Sequence, residues 1–147
     1  MSGDWHWTTE TSLPSRRNAH LGLMETVLDQ LKQLGWEGRD LFGVQMALEE
    51  SLSNAIRHGN QLDESKQVQV AVRLNHDRFW IQIEDEGDGY NPGELADCTT
   101  AEGLTATGGR GMKLIQAYMT TVEHNARGNR LTLEKVREAG TGGTANG

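Results

Sequence analysis

Glu50 and Asn54 stand one helical turn apart in the run Glu50-Ser51-Leu52-Ser53-Asn54, which continues to Arg57, His58 and Gly59. At about 100° per residue, a helix places Glu50, Asn54 and Arg57 on one face. A carboxylate and an amide so spaced suit a hydrated magnesium ion and a reacting oxygen. Magnesium prefers oxygen ligands and keeps several waters. An amide oxygen ligates it without adding negative charge beside phosphate, and a nearby carboxylate can accept a proton. The same spacing also describes the solvated side of an amphipathic helix, since this face lies opposite Leu48 and Leu52. Spacing alone leaves both readings open. Ser51 and Ser53 read as small helix residues, and His58 by itself reads as a cap or surface residue.

A second cluster is Asp85-Glu86-Gly87-Asp88-Gly89-Tyr90, directly after an alternating apolar stretch. Glycines at alternate positions permit positive φ and close approach by a ligand. A carboxylate at a strand end can accept a hydrogen bond from an exocyclic amine such as that of adenine. An acidic turn is the plainer alternative, and a calcium-loop fragment a weaker one, because the further ligands of a twelve-residue calcium loop are missing. The third cluster is Thr107-Gly108-Gly109-Arg110-Gly111-Met112-Lys113-Leu114-Ile115, a glycine-rich stretch opening into a helix. Free N–H groups and the partial positive charge of a helix N-terminus bind phosphate, and Arg110 and Lys113 add charge. An ordinary loop-to-helix connection looks the same. The Gly-Lys-Ser/Thr of a Walker loop is absent, and the glycines do not sit in the first turn of a βαβ unit.

The elements that must hold these clusters follow from periodicity. Residues 5–11 alternate bulky and polar side chains, as an edge strand does. Trp5 and Trp7 suit its core side, or a dimer contact where aromatics are favoured; the core placement is preferred. Pro14 and Ser15 mark a helix start. Leu21, Met24, Leu28 and Leu31 make residues 16–34 an amphipathic helix. Leu41, Val44, Leu48, Leu52 and Ala55 form the stripe of a second helix over residues 40–58, which Gly59-Asn60 would cap. Val68, Val70 and Val72, then Phe79, Ile81 and Ile83, predict a hairpin turning at Asn75-His76-Asp77. Residues 90–108 read as a long functional loop, residues 112–119 as a third helix, and residues 122–125 and 131–135 as a last hairpin around Arg127-Gly128-Asn129. Helices alternating with hairpins predict an α+β two-layer sandwich, with a mixed, mainly antiparallel sheet covered on one face by helices. One domain over residues 1–137 and a disordered Gly/Thr/Ala-rich tail over residues 138–147 are expected.

Composition bounds the function. The formal charge of −7 in 147 residues argues against nonspecific binding to nucleic acid or to an anionic membrane surface. No stretch approaches the ~20 apolar residues of a membrane span. The N-terminal residues lack the basic-then-apolar pattern of a secretion signal. A single cysteine, Cys98, excludes an intrachain disulfide framework. A cytoplasmic location is expected.

The three clusters, in this order and context, resemble the GHKL (histidine kinase-like) ATPases. Glu50-x-x-x-Asn54-Ala-x-x-His58-Gly59 looks like their N box, Asp85-x-Gly87-x-Gly89 like their first glycine box, and Gly109-x-Gly111-Met112-x-Leu-Ile like their second. The resemblance covers roughly residues 13–136. The short chain is most similar to the anti-sigma factor serine kinases of bacterial stress and sporulation switches. It implies the Bergerat-type ATP-binding fold, with ATP and Mg as cofactors. Glu50 would be the general base and Asn54 the magnesium ligand. Asp85 would read the adenine amine, Gly87 and Gly89 would let the chain pass the nucleotide, and residues 91–108 would form a lid. Gly109 and Gly111 would bring backbone N–H groups to phosphate. The implied nucleotide site also takes in His58, Tyr90, Arg110 and Met112. The implied reaction moves phosphate from ATP to a serine or threonine of a STAS-type anti-anti-sigma partner, beside sequestration of a sigma factor, by a homodimer that contacts neither nucleic acid nor membrane. The chain departs from the pattern at Thr107-Gly108, where relatives often carry a basic residue, at Met119-Thr120, where Met-Asp is common, and at Gly128-Asn129, where Gly-Thr is common. A module that holds ATP as a switch without transferring phosphate is the alternative, and Glu50 favours transfer. A two-component histidine kinase would need a helical phosphoacceptor domain, for which 147 residues leave no room.

Overall fold

A computed structural model describes residues 5–87, 109–126 and 128–138, with the backbone alone at residues 109–112. The elements run β1 (Trp7–Pro14), α1 (Leu21–Gln33), α2 (Gly38–Asn54) with a π-helical turn (Ala55–Gly59), β2 (Gln67–Leu74), β3 (Arg78–Glu84), α3 (Gly109–Tyr118), β4 (Thr121–His124) and β5 (Arg130–Val136). The five strands form one sheet in the order β1-β2-β3-β5-β4. Every neighbouring pair is antiparallel, with Thr11 opposite Val70, Val72 opposite Ile81, Ile81 opposite Leu133, and Val122 opposite Leu133. The expected α+β layering is present, and its sheet is antiparallel throughout the described strands.

Alternation decides which face the helices cover. Val68, Val70, Val72 and Leu74 of β2, Phe79, Ile81 and Ile83 of β3, and Leu131 and Leu133 of β5 are buried. They meet Val27 and Leu31 of α1, Val44, Ala47, Leu48 and Leu52 of α2, and Ile115 of α3 in one core. The intervening side chains point the other way; Thr8, Glu10, Ser12, Gln69 and Arg73 are exposed there. Trp7 packs against the core, whereas Trp5 lies beside Arg78, whose Cζ is 5.1 Å from its ring centre.

Several local expectations shift. The edge strand runs on to Pro14, and α1 begins at Leu21 rather than at residue 16. Ser15 does not cap a helix: its hydroxyl donates to the Lys66 carbonyl at 2.6 Å, tying the end of β1 to β2. Asn18 then adopts φ 70°, a left-handed conformation that interrupts any helix started earlier. Leu21, expected on the apolar stripe, is 47% exposed, and Val27 takes its place in the core. Glu138, assigned by sequence to the tail, is held by its N–H on Asp40 Oδ2 at 3.2 Å; residues 139–147 lie outside the described residues.

The core placement makes a direct prediction. Leu48→Ala, at a fully buried position, should cost about 2–5 kcal/mol in urea unfolding. Leu21→Ala should stay within about 0.5 kcal/mol of the parent. Equal costs at the two positions would contradict this packing.

Candidate functional site

The helix bearing Glu50 and Asn54 runs directly into the strand end bearing Asp85. After Asn54 the backbone widens into the π turn, and Asn60 N–H bonds back to the Ala55 carbonyl at 2.9 Å. Such turns inside α-helices are often placed at functional sites. Gly59 arrives against Asp85 so closely that a Cβ there would run into Oδ2, and a Cβ on Gly87 would run into the Gly59 carbonyl oxygen. Neither glycine has a positive φ; among the described residues the left-handed ones after the turn are Gln61 and Leu62. Gly59 therefore is not the conformational cap its sequence position suggests, and Gly87 is not needed for positive φ. Both are required for space.

Asp85 is 8% exposed. Its Oδ1 accepts the Gly87 N–H at 2.9 Å, its own N–H donates to the Asn129 carbonyl at 3.0 Å, and its carbonyl accepts Asn129 Nδ2 at 3.0 Å. The next residue is fixed too: Glu86 N–H donates to Asn60 Oδ1 at 2.7 Å, and Asn60 Nδ2 donates to Ser15 Oγ at 2.8 Å. Sequence reading did not single out Asn60, Asn129 or Ser15 for the site. Gly59-Asn60 looked like a cap and Gly128-Asn129 like a hairpin turn, because the bonds that give them meaning join residues 26 to 45 positions apart.

Glu50 and Asn54 are half-buried, and neither side chain takes part in an internal hydrogen bond or ion pair among the described residues. This leaves the Asn54 amide oxygen and the Glu50 carboxylate available to an incoming ligand. Among the described residues no three His, Cys, Asp or Glu side chains cluster as a metal cage. The unengaged Asn54 amide oxygen is a donor of the kind magnesium takes, and it would be the protein atom to hold that ion. His58 is exposed at the π turn; burial of part of its ring, followed by the Arg57 guanidinium, lowers its pKa. That keeps the ring neutral to lower pH than a free histidine. Arg57, expected on the face of Glu50 and Asn54, instead lines a neighbouring pocket of about 190 Å³ with Arg17, Asn18, His20, Glu49, Ser53 and Ile56. The wider π turn carries it there. Within that wall the buried His20 donates from Nε2 to Glu49 Oε1 at 3.0 Å, pinning the start of α1 onto α2. Arg17 and Arg57 have no ion pair among the described residues.

Gly109, Arg110, Gly111 and Met112 form the first turn of α3, so the helix opens three residues earlier than periodicity predicts. The first four N–H groups of a helix have no partner within it, which places those of Gly109 and Gly111 at the end that attracts anions. Gly89, Tyr90 and the expected lid over residues 91–108 lie outside the described residues.

Comparison with known proteins agrees with this geometry. Residues 14–135 match the histidine kinase-like ATPase domain, and the chain belongs to that family. It is 30% identical over 95 residues to an anti-sigma F factor of Clostridium perfringens, covering 63% of this chain and 68% of the relative. It is 26% identical over 126 residues to the serine-protein kinase RsbW of Bacillus pumilus, covering 80% and 77%. Among the described residues no helix is long and apolar enough to cross a membrane.

The contact between Gly59 and Asp85 gives a second prediction. Gly59→Ala should cost about 1–3 kcal/mol through overpacking. It should also shrink the rise in melting temperature that saturating Mg-ATP produces by mass action. An unchanged nucleotide-dependent rise, in differential scanning with and without Mg-ATP, would separate Gly59 from the nucleotide site.

Proposed function

We propose that this chain is an ATP-dependent serine/threonine-protein kinase that phosphorylates a STAS-type anti-anti-sigma partner and sequesters a sigma factor. The observation that carries the reading is the meeting of Gly59 with Asp85. It joins a helix offering an unengaged carboxylate and amide to a strand end offering a fixed carboxylate. The similarity to an anti-sigma F factor and to a serine-protein kinase supports the class of partner. The proposal takes the protein to be a cytoplasmic homodimer, with no role for nucleic acid or membrane.

In this reading Asp85 accepts the adenine amine, and Gly87 and Gly89 keep the backbone clear of the base. His58, Tyr90, Arg110 and Met112 line the remainder. The N–H groups of Gly109 and Gly111 face the phosphates. Asn54 Oδ1 holds magnesium, which when bound offsets phosphate charge. Glu50 accepts the proton from the partner's hydroxyl as that oxygen attacks the terminal phosphorus, and ADP departs. Phosphoryl transfer asks mainly for positioning and charge neutralisation, and this set supplies both.

Two variants test the assignment. With Mg-ATP, Asp85→Asn should lose the thermal shift seen in the parent. Glu50→Ala should retain nucleotide affinity within about twofold while partner phosphorylation falls by about 10²–10⁴-fold, the usual contribution of a general base. Phosphorylation that survives Glu50→Ala would remove Glu50 from that role. A parent that shows the thermal shift yet labels no STAS-type protein would instead be a non-catalytic ATP-binding switch.

A further inference from the structure

Four polar side chains sit behind the Asp85 turn, each almost wholly buried: Ser15, Asn60, Asp85 and Asn129 are 0%, 1%, 8% and 8% exposed. Burying so many hydrogen-bonding groups is costly unless each is satisfied. Here they satisfy one another and the backbone. The Lys66 carbonyl accepts Ser15 Oγ, Ser15 accepts Asn60 Nδ2, and Asn60 Oδ1 accepts Glu86 N–H. On the other side Asn125 Nδ2 donates to Asn129 Oδ1 at 2.8 Å, and Asn129 Nδ2 donates to the Asp85 carbonyl at 3.0 Å. The β4–β5 turn that carries Asn129 is itself closed by Asn125 Oδ1, which accepts the N–H groups of Gly128 at 2.8 Å and Arg130 at 3.1 Å. The peptide unit after Asp85 is thus clamped twice, its carbonyl by the Asn129 side chain from the hairpin and its N–H by Asn60 after the π turn, while the unit before it donates the Asp85 N–H to the Asn129 main-chain carbonyl.

We infer that Asn129 is a positioning residue for base recognition: by holding the Asp85 carbonyl it fixes where the Asp85 carboxylate meets the six-amino group of a purine. This rests on the reading of Asp85 as the adenine acceptor. Asparagine does this because it carries a donor and an acceptor together, one for Asp85 and one for Asn125. A carboxylate held in place discriminates against a base that lacks the amine, because the amine's hydrogen bond to it is then missing. A carboxylate free to swing turns to water and discriminates less.

The test titrates the full chain, with magnesium, against ATP and against purine riboside triphosphate, which lacks the six-amino group. The ratio of the two dissociation constants is the readout. The parent should prefer ATP by about tenfold or more, the scale of one hydrogen bond to a charged group. In Asn129→Ala the ratio should fall to about one to two, with the loss falling on ATP. Asn129→Thr, whose hydroxyl can donate to the same carbonyl, should recover most of it. A parent that binds both nucleotides equally overturns the Asp85 reading and the proposal with it. A parent that discriminates, beside an Asn129→Ala that discriminates equally, overturns the proposal alone; a purely structural role, weakening both nucleotides together, gives that result. If Asn129→Ala does not fold, the side-chain amide resonances of Asn129 in the parent decide. They should shift with ATP more than with the purine analogue, and equal shifts count against the proposal.

Discussion

The space that two missing Cβ atoms leave between Gly59 and Gly87 is the constraint on which the rest of the site depends. Any side chain at Gly59 would occupy the volume of the Asp85 carboxylate, and any at Gly87 would occupy that of the Gly59 carbonyl. With both glycines in place, the end of one helix and the end of one strand interlock through backbone. The helix contributes Glu50 and Asn54 and the strand contributes Asp85, so their relative position is fixed by close packing rather than by long side chains. Interiors packed to crystal density transmit such constraints well.

The π turn makes that meeting possible. A helix continued in α geometry to residue 58 would have carried its end along the same axis. Widening at Ala55–Gly59 changes its phase and delivers Gly59 and Asn60 to the Asp85 turn. It also moves Arg57 out of the Glu50 strip and into the pocket with Arg17. The helix thus carries Glu50 and Asn54, unengaged among the described residues, and places Arg57 beside Glu49 and Ser53 at the pocket. In a chain of net charge −7, Arg17 and Arg57 set two guanidiniums around a concavity that also holds Glu49, and neither has an ion pair among the described residues.

Most of the scaffold was legible because it follows from period. The apolar alternation of Val68 to Val72 and Phe79 to Ile83 gave both strands and the buried face, and the stripe through Val44, Leu48 and Leu52 gave α2. The motif residues were legible as types: Glu50, Asn54 and Asp85 sit where helix and strand were expected to hold them. What sequence could not give was the reason for individual glycines and asparagines. Gly59 reads as a cap and Gly87 as a source of positive φ, yet each is selected by a neighbour distant in sequence. Ser15 reads as a helix start and serves a strand. Such misreadings share one cause. Local rules assign glycine and small polar residues to caps and turns, whereas here tertiary close packing has claimed the glycines and tertiary hydrogen bonds Ser15 and the asparagines.

The division of labour across the site follows from what each end must recognise. A base is distinguished by one or two polar atoms, so its acceptor must be held to within a fraction of an ångström; Asp85 is buried and braced from two elements. In the proposed function the reacting phosphate is met by charge and by position together. Backbone N–H groups of a helix start, an amide oxygen and a carboxylate with no internal partner suffice. The unengaged state of Glu50 bears on this. A partly buried carboxylate contributes little to stability without a partner, and nothing among the described residues uses this one as a structural tie. In the proposed function, its place one turn before Asn54, on the helix that Gly59 locks to Asp85, lets it take the proton of the partner's hydroxyl.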